Sequence, residues 1–243
     1  MLLTDIKGMN IQGKDVKELH LNGSKIWTGG KPYDTLWDMN GYAIQTPSNG
    51  GLIIDYVPTH TTRVRATMMN LGYKTTSSYY GDKNVFFGAN DDFYFYTIYY
   101  STNSFSWYAS NGSSNSMYAN TSGNTNMYKY EQVRTITVHG GACLTGGPMM
   151  SMTPLNDRAI TSRLVIGQYG ENPPDGFERC MVAISYLEIG EDINGVHTTV
   201  RQFYPAMKDG VYGLYDKITG TFCGQTTSGS NCSLKTGSLF TVG

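Results

Sequence analysis

Residues 179–222 read RCMVAISYLEIGEDINGVHTTVRQFYPAMKDGVYGLYDKITGTF, and this stretch decides the fold class. Runs of aliphatic, β-branched and aromatic residues (Phe177 to Ile189, Val200 to Phe203, Gly213 to Asp216) alternate with turn residues. That is the pattern of antiparallel strands joined by short connections. Asp209-Gly210 and Thr219-Gly220 are turn pairs in which glycine takes a positive φ without steric cost. Leu214 and Tyr215 alternate across the pleat, so one of them faces the core. Gly213 is expected where two backbones approach closely, and Asp216 is expected to cap the next turn with its carboxylate. Glu188 to Asp192 reads as a strand end and a solvated turn, with Gly190 as the breaker.

The same alternation runs outward over most of the chain. Strand-like segments recur at Leu52 to Val57, Arg63 to Met69, Asn84 to Gly88, Phe93 to Tyr100, Ser104 to Ala109, Gln132 to His139, Arg163 to Gly167 and Leu239 to Val242. Between them lie turn clusters and one long polar loop, Ser110 to Asn126. No window holds a 3.6-residue period, and no strand–helix–strand alternation appears. Only 15% of residues are charged, too few for the solvent faces of surface helices. An all-β sandwich follows, and at 243 residues one main domain is expected.

The first thirty residues differ from the rest. MNIQGKDVKELHLNGSKIW reads as a small three-stranded β-meander, Met9 to Ile11, Val16 to Leu21 and Ser24 to Trp27, with Asn22-Gly23 as a hairpin turn. So short a meander cannot bury Ile11, Val16, Leu21, Ile26 and Trp27 by itself. These five are the expected attachment or self-association residues. Thr28 to Pro32 supplies Gly and Pro punctuation, which divides the chain into a 1–30 appendage and a 31–243 sandwich.

Several function classes lose support on composition. Eighteen basic and nineteen acidic residues leave a net charge of −1 with no basic run, so neither nucleic acid nor an anionic membrane surface is an expected partner. No apolar segment approaches the ~20 residues of a membrane span, and MLLTDIKGMN lacks the layout of a secretion signal, so a soluble protein is expected. The four cysteines show no CxxC spacing, and no metal or cofactor is expected. Cys223 and Cys232 flank a turn-rich segment that either carries two free thiols or closes a small disulfide. Asp91 and Asp92 read as a charged strand-entry turn rather than a calcium site. His20, His60, His139 and His197 are scattered and form no recognisable nucleophilic arrangement.

Three segments within the opening stretch and a fourth beyond it resemble a module of tailed-phage virion proteins from gut bacteria and their prophages. They are Ile184-Ser185-Tyr186-Leu187-Glu188-Ile189, Val200-Arg201-Gln202-Phe203-Tyr204-Pro205, Asp209-Gly210-Val211-Tyr212-Gly213-Leu214-Tyr215-Asp216 and, further on, Gly237-Ser238-Leu239-Phe240-Thr241. Weaker likeness extends upstream through Val85 to Gly88 and Asp55 to Thr59, so the resemblance covers about residues 50–243. It implies a concanavalin A-like, LamG-type jelly roll. It also implies a homo-oligomeric virion protein (a trimer or dimer on a fibre, tail or capsid), assembled in the host cytoplasm beside other virion proteins. Gln202 stands where that pattern carries an acid, and Asn231 to Lys235 looks inserted before the last strand.

Jelly rolls of this class include glycoside hydrolases, which need two carboxylates across one bond, ~5–5.5 Å apart for retention. Glu188 and Glu191 are the nearest pair, but their spacing of three puts them on opposite faces of a continuing strand. No catalytic residue is assigned. The aromatic run from Phe93 to Tyr100 places Phe93, Phe95 and Tyr99 on one face and Tyr94, Tyr96 and Tyr100 on the other. Core packing or an oligomer interface accounts for the second set, and so does a platform for a bacterial surface glycan. If such a platform exists, Tyr94, Tyr96, Tyr100 and Trp107 are its expected residues. The rival functions are a free carbohydrate-binding lectin of a gut bacterium and a glycan-cleaving enzyme.

Overall fold

A computed structural model describes residues 33–37, 41–71, 85–90, 93–96, 160–172 and 180–237 with their side chains, and beyond these the backbones of further strands. In the appendage, β1 (Asn10–Ile11) pairs with β2 (Lys14–Asp15) and β3 (Glu18–Leu21) with β4 (Ser24–Thr28). These are two separate two-stranded ribbons, not the expected three-stranded meander. The side chains of Ile11, Val16, Leu21, Ile26 and Trp27 lie outside the described residues.

The remaining strands open with β5 (Thr35–Leu36), β6 (Tyr42–Gln45), β7 (Leu52–Ile53) and β8 (Arg63–Asn70). Then come β9 (Lys83–Gly88), β10 (Phe93–Ser101), β11 (Ser104–Asn111), β12 (Ala119–Asn120), β13 (Val133–Val138), β14 (Gly141–Leu144), β15 (Met150–Ser151) and β16 (Val165–Ile166). The last third supplies β17 (Val182–Ile193), β18 (Val196–Lys208), β19 (Val211–Asp216), β20 (Phe222–Cys223) and β21 (Ser233–Thr236). No helix occurs among the described residues.

The strands form two antiparallel sheets. One has the order β12-β11-β10-β9-β16-β7. The other runs β15-β14-β13-β8-β17-β18-β19-β20, with β6 between β17 and β21 and with β5 against β18. A single apolar cluster draws Leu52, Phe87, Phe93, Phe95 and Ile166 from the first sheet and Val64, Met68, Ile184, Leu187, Phe203 and Leu214 from the second. A core fed by the facing sides of two sheets makes the fold a β-sandwich.

The decisive stretch folds as a three-stranded unit with tight turns at both ends. Asn194 and Gly195 (φ 54° and 77°) join β17 to β18, and Asp209 and Gly210 (φ 51° and 75°) join β18 to β19. Two successive residues at positive φ give the hairpin turn whose twist matches the strands on either side. The expected strand end at Ile189 is therefore corrected: β17 continues through Gly190 to Ile193, with a register shift between Ile189 and Gly190. A side chain at Gly190 would collide with the His197 ring across the hairpin. The glycine is there for that ring, not to stop the strand.

Gly213 and Asp216 do what the sequence suggests. A Cβ at Gly213 would collide with the Cys223 carbonyl oxygen, so only glycine lets β19 and β20 close. Asp216 is fully buried, and its Oδ1 accepts the backbone N–H of Ile218 at 3.0 Å and of Gln202 at 2.9 Å. Asn231 to Lys235, which looks like an insertion, adds a strand, because β21 lies against β6 with Leu234 opposite Ile44. The expected strand at Leu239 to Val242 lies outside the described residues, as does most of the Ser110 to Asn126 loop apart from β12.

Candidate functional site

Strand β10 separates its side chains as the alternation requires. Phe93 and Phe95 enter the main core beside Phe87, with ring centroids 6.3 and 5.9 Å from it. Tyr94 and Tyr96 turn to the opposite face and join Val85 and Tyr169 in a second cluster. There the Tyr94 ring lies 5.2 Å from that of Tyr96 and 5.0 Å from that of Tyr169. Only 8% of Tyr94 and 6% of Tyr96 is exposed, and both rings pack in this cluster. Tyr100 and Trp107 lie on β10 and β11, with Trp107 opposite Thr97, and their side chains lie outside the described residues. Tyr169 had no signal in the sequence, since it lies in an irregular segment whose chain returns against β9.

Polar groups concentrate where β17, β18 and the 55–62 segment meet. The Glu191 carboxylate accepts hydroxyl hydrogen bonds from Thr59 at 2.8 Å and Thr61 at 2.7 Å, and also from Tyr56 and Thr62. Burial works against its charge, but the four hydroxyls outweigh it and hold the carboxyl below the usual carboxylate range. Tyr56 moves the other way, its phenol held neutral by burial and by the hydrogen bond it donates to Glu191. Arg201 lies 5.5 Å above the Tyr56 ring and reaches Asp216 Oδ2 at 3.5 Å. Asp192 pairs with Arg63 at 2.7 Å, with His197 Nδ1 3.9 Å away.

Glu188 belongs to the other face of the same sheet. It accepts the Tyr186 hydroxyl at 2.6 Å, and Gln202 donates to that hydroxyl at 3.0 Å. Burial and the Glu188 carboxylate push the Tyr186 phenol up to about 12. Gln202, where the resembling pattern has an acid, thus completes a hydrogen-bonded row, while Arg201 keeps Asp216 as its partner. Glu188 and Glu191 serve different faces and different partners, as their spacing requires.

A third feature is an open cleft of about 520 Å³ between the β18–β19 turn and the loop after β20. Lys208 and Asp209 stand on one side of it, and Gln225, Ser230 and Asn231 on the other, with Val211 and Phe222 forming apolar lining. Sequence reading overlooked it because its residues come together only when β20 and β21 fold back. Among the described residues no group of three or more His, Cys, Asp or Glu side chains is placed to hold a metal ion, and no helix is long and apolar enough to cross a membrane. Asp91 and Asp92 lie outside those residues.

Cys180, Cys223 and Cys232 are buried free thiols. Burial raises the Cys223 thiol to about 11 and the Cys232 thiol to about 12, which leaves both protonated and unreactive near neutrality. Compared with family models, curated proteins and solved structures, the chain finds no match.

Proposed function

We propose that this chain is a non-enzymatic structural protein of a tailed-phage virion, carried on a fibre, tail or capsid. Its sandwich is a concanavalin A-like jelly roll that faces outward and adheres to bacterial surface glycan. The observation that carries the reading is the work done by the resembling segments. Asp209-Gly210 turns the hairpin, Gly213 admits β20, and Asp216 ties β18 to the turn after β19. These residues hold a scaffold together, as the signature of a structural module should. Residues 1–30 then serve as the attachment segment to other virion proteins or to further copies of the chain.

Two rivals remain, a free lectin and a glycan-cleaving enzyme. The separate engagement of Glu188 and Glu191 favours adhesion over cleavage, because retaining or inverting hydrolysis needs two acids facing one bond. Mass spectrometry of density-banded particles from a lysate of the encoding strain tests the proposal. Peptides of this chain should band with the particles. Their recovery only from the unbanded soluble fraction would favour the lectin, and polysaccharide cleavage lost in Glu188→Gln or Glu191→Gln would favour the enzyme.

A further inference from the structure

The cleft beside the β18–β19 turn combines three properties that together describe a ligand. First, its polar rim is unspent: among the described residues the side chains of Lys208, Asp209, Gln225 and Asn231 make no hydrogen bond or ion pair. A carboxylate and two carboxamides are planar groups that can donate to or accept from neighbouring hydroxyls in pairs. Second, Phe222 lines the cleft with a half-buried apolar ring for which Gly224 leaves room. A Cβ on Gly224 would lie 2.6 Å from Phe222 Cε1 and 3.0 Å from Val211 Cγ1, so any side chain there would sit against the ring. Third, Lys208 and Asp209 adjoin and cancel, which gives the cleft no preference for a strongly ionic guest such as a phosphate or a polyamine.

The wall carrying Gln225 and Asn231 is also fixed in advance. Gln225 C=O accepts the Ile53 N–H at 2.9 Å, and Thr226 bridges to Leu52. The Thr227 hydroxyl donates to Gln168 at 2.7 Å, and the Thr226 hydroxyl donates to the Ser230 carbonyl at 2.6 Å. A loop tied at three points to the scaffold and once to itself loses little conformational entropy when a guest arrives. At about 520 Å³ the cleft falls within the ~300–1,000 Å³ of small-molecule sites.

We propose that this cleft binds one pyranose ring of a neutral glycan. The apolar C–H face of the sugar lies on Phe222 and Val211, and its hydroxyl edge meets Asp209, Gln225 and Asn231. A pyranose is the guest that needs both halves of the cleft, an apolar face and a ring of hydroxyls. The inference rests on the adhesion reading for its glycan, and of its contact residues Asn231 lies in the stretch that departs from the resembling pattern.

The test is a titration of the full chain with methyl pyranosides of glucose, galactose, mannose and rhamnose and with N-acetylglucosamine, at millimolar concentration. Backbone and side-chain amide signals are followed by NMR, and binding of labelled protein to the bacterial host cells is measured in parallel. Saturable shifts should appear at Gly224, Gly229 and Asn231 with at least one sugar. Asn231→Ala and Gln225→Ala should each weaken binding roughly three- to tenfold, the loss of one or two hydrogen bonds, without moving the unfolding midpoint. If no sugar of the panel shifts these signals while cell binding survives in the double variant, the site is wrong and adhesion stands elsewhere. Shifts confined to another part of the sandwich also overturn it. If neither sugars nor cells are bound, the adhesion reading falls together with the site.

Discussion

At the scale of single residues, the buried polar groups outweigh the conspicuous aromatic ones. Asp216 is 0% exposed, and it accepts from two backbone N–H groups and from the Thr219 hydroxyl while facing Arg201. Asp216→Ala strands those donors away from water and leaves Arg201 without its carboxylate. A loss of about 3 kcal/mol or more is expected in urea unfolding, and an unchanged midpoint would mean that the carboxylate is not what closes this turn. Tyr96→Ala should cost about 3–5 kcal/mol by opening a cavity beside Tyr94 and Tyr169, whereas Tyr96→Phe, which keeps the ring, should cost far less. Loss of cell binding in a Tyr96→Ala protein of unchanged stability would mark the ring as a contact residue. Asp216 was legible in the sequence because a carboxylate after a strand and before Thr-Gly has a local job. The fate of Tyr94 and Tyr96 was not, because alternation tells which face a ring takes and not whether Tyr169 lies upon it.

At the scale of elements, the two tight hairpins and the close approach at Gly213 are distinct uses of glycine, and substitution separates them. Gly195 has φ 77° and open space around its missing Cβ, so Gly195→Ala carries only the backbone cost, about 1–2 kcal/mol. Gly213→Ala must instead push β20 off β19, and it should cost more and disturb the amide signals of Leu214 and Cys223. Equal costs for the two would show that the β19–β20 contact is soft. Asp209-Gly210 was readable as a turn because both neighbouring runs are apolar. Asn194-Gly195 carries the same signal, but Glu191 and Asp192 before it disguised the strand as a solvated loop. Their charges are taken up by the hydroxyls of the 56–62 segment and by Arg63, partners more than a hundred residues away in sequence that no local pattern exposes. Strands β5, β6 and β21 escaped for a related reason, being short and stabilised by what they lie against.

For the whole molecule, stability should narrow at both ends of the pH scale. Glu191 has its folded pKa below the unfolded one, so its contribution is present above the unfolded value and is lost as pH falls through the folded one. Tyr186 and Cys223 are shifted the other way, to about 12 and about 11, from ordinary values of 10.0 and 9.0. Their contribution is complete below the ordinary values and fades as pH rises through the folded ones. Unfolding midpoints measured across pH should therefore fall on the alkaline side from about 9 upward, and Glu191→Gln should flatten the acid side. A truncation lacking residues 1–30 should leave the sandwich folded but unable to assemble, as read by light scattering, and an unchanged oligomer would remove the attachment role from that segment. The position of β17 also sets an order of events. It joins β6 and β8 on one side of the chain to β18 on the other, and its Val182 N–H and C=O both bond Thr46, 136 residues earlier. During synthesis β6 and β8 leave the ribosome long before the strand that unites them, and although β8 can pair with β13 first, the sheet cannot close until that distant pairing occurs, which makes folding slow. In that interval their open edges are the most aggregation-prone surfaces the nascent chain presents, so its need for chaperones should peak just before β17 emerges.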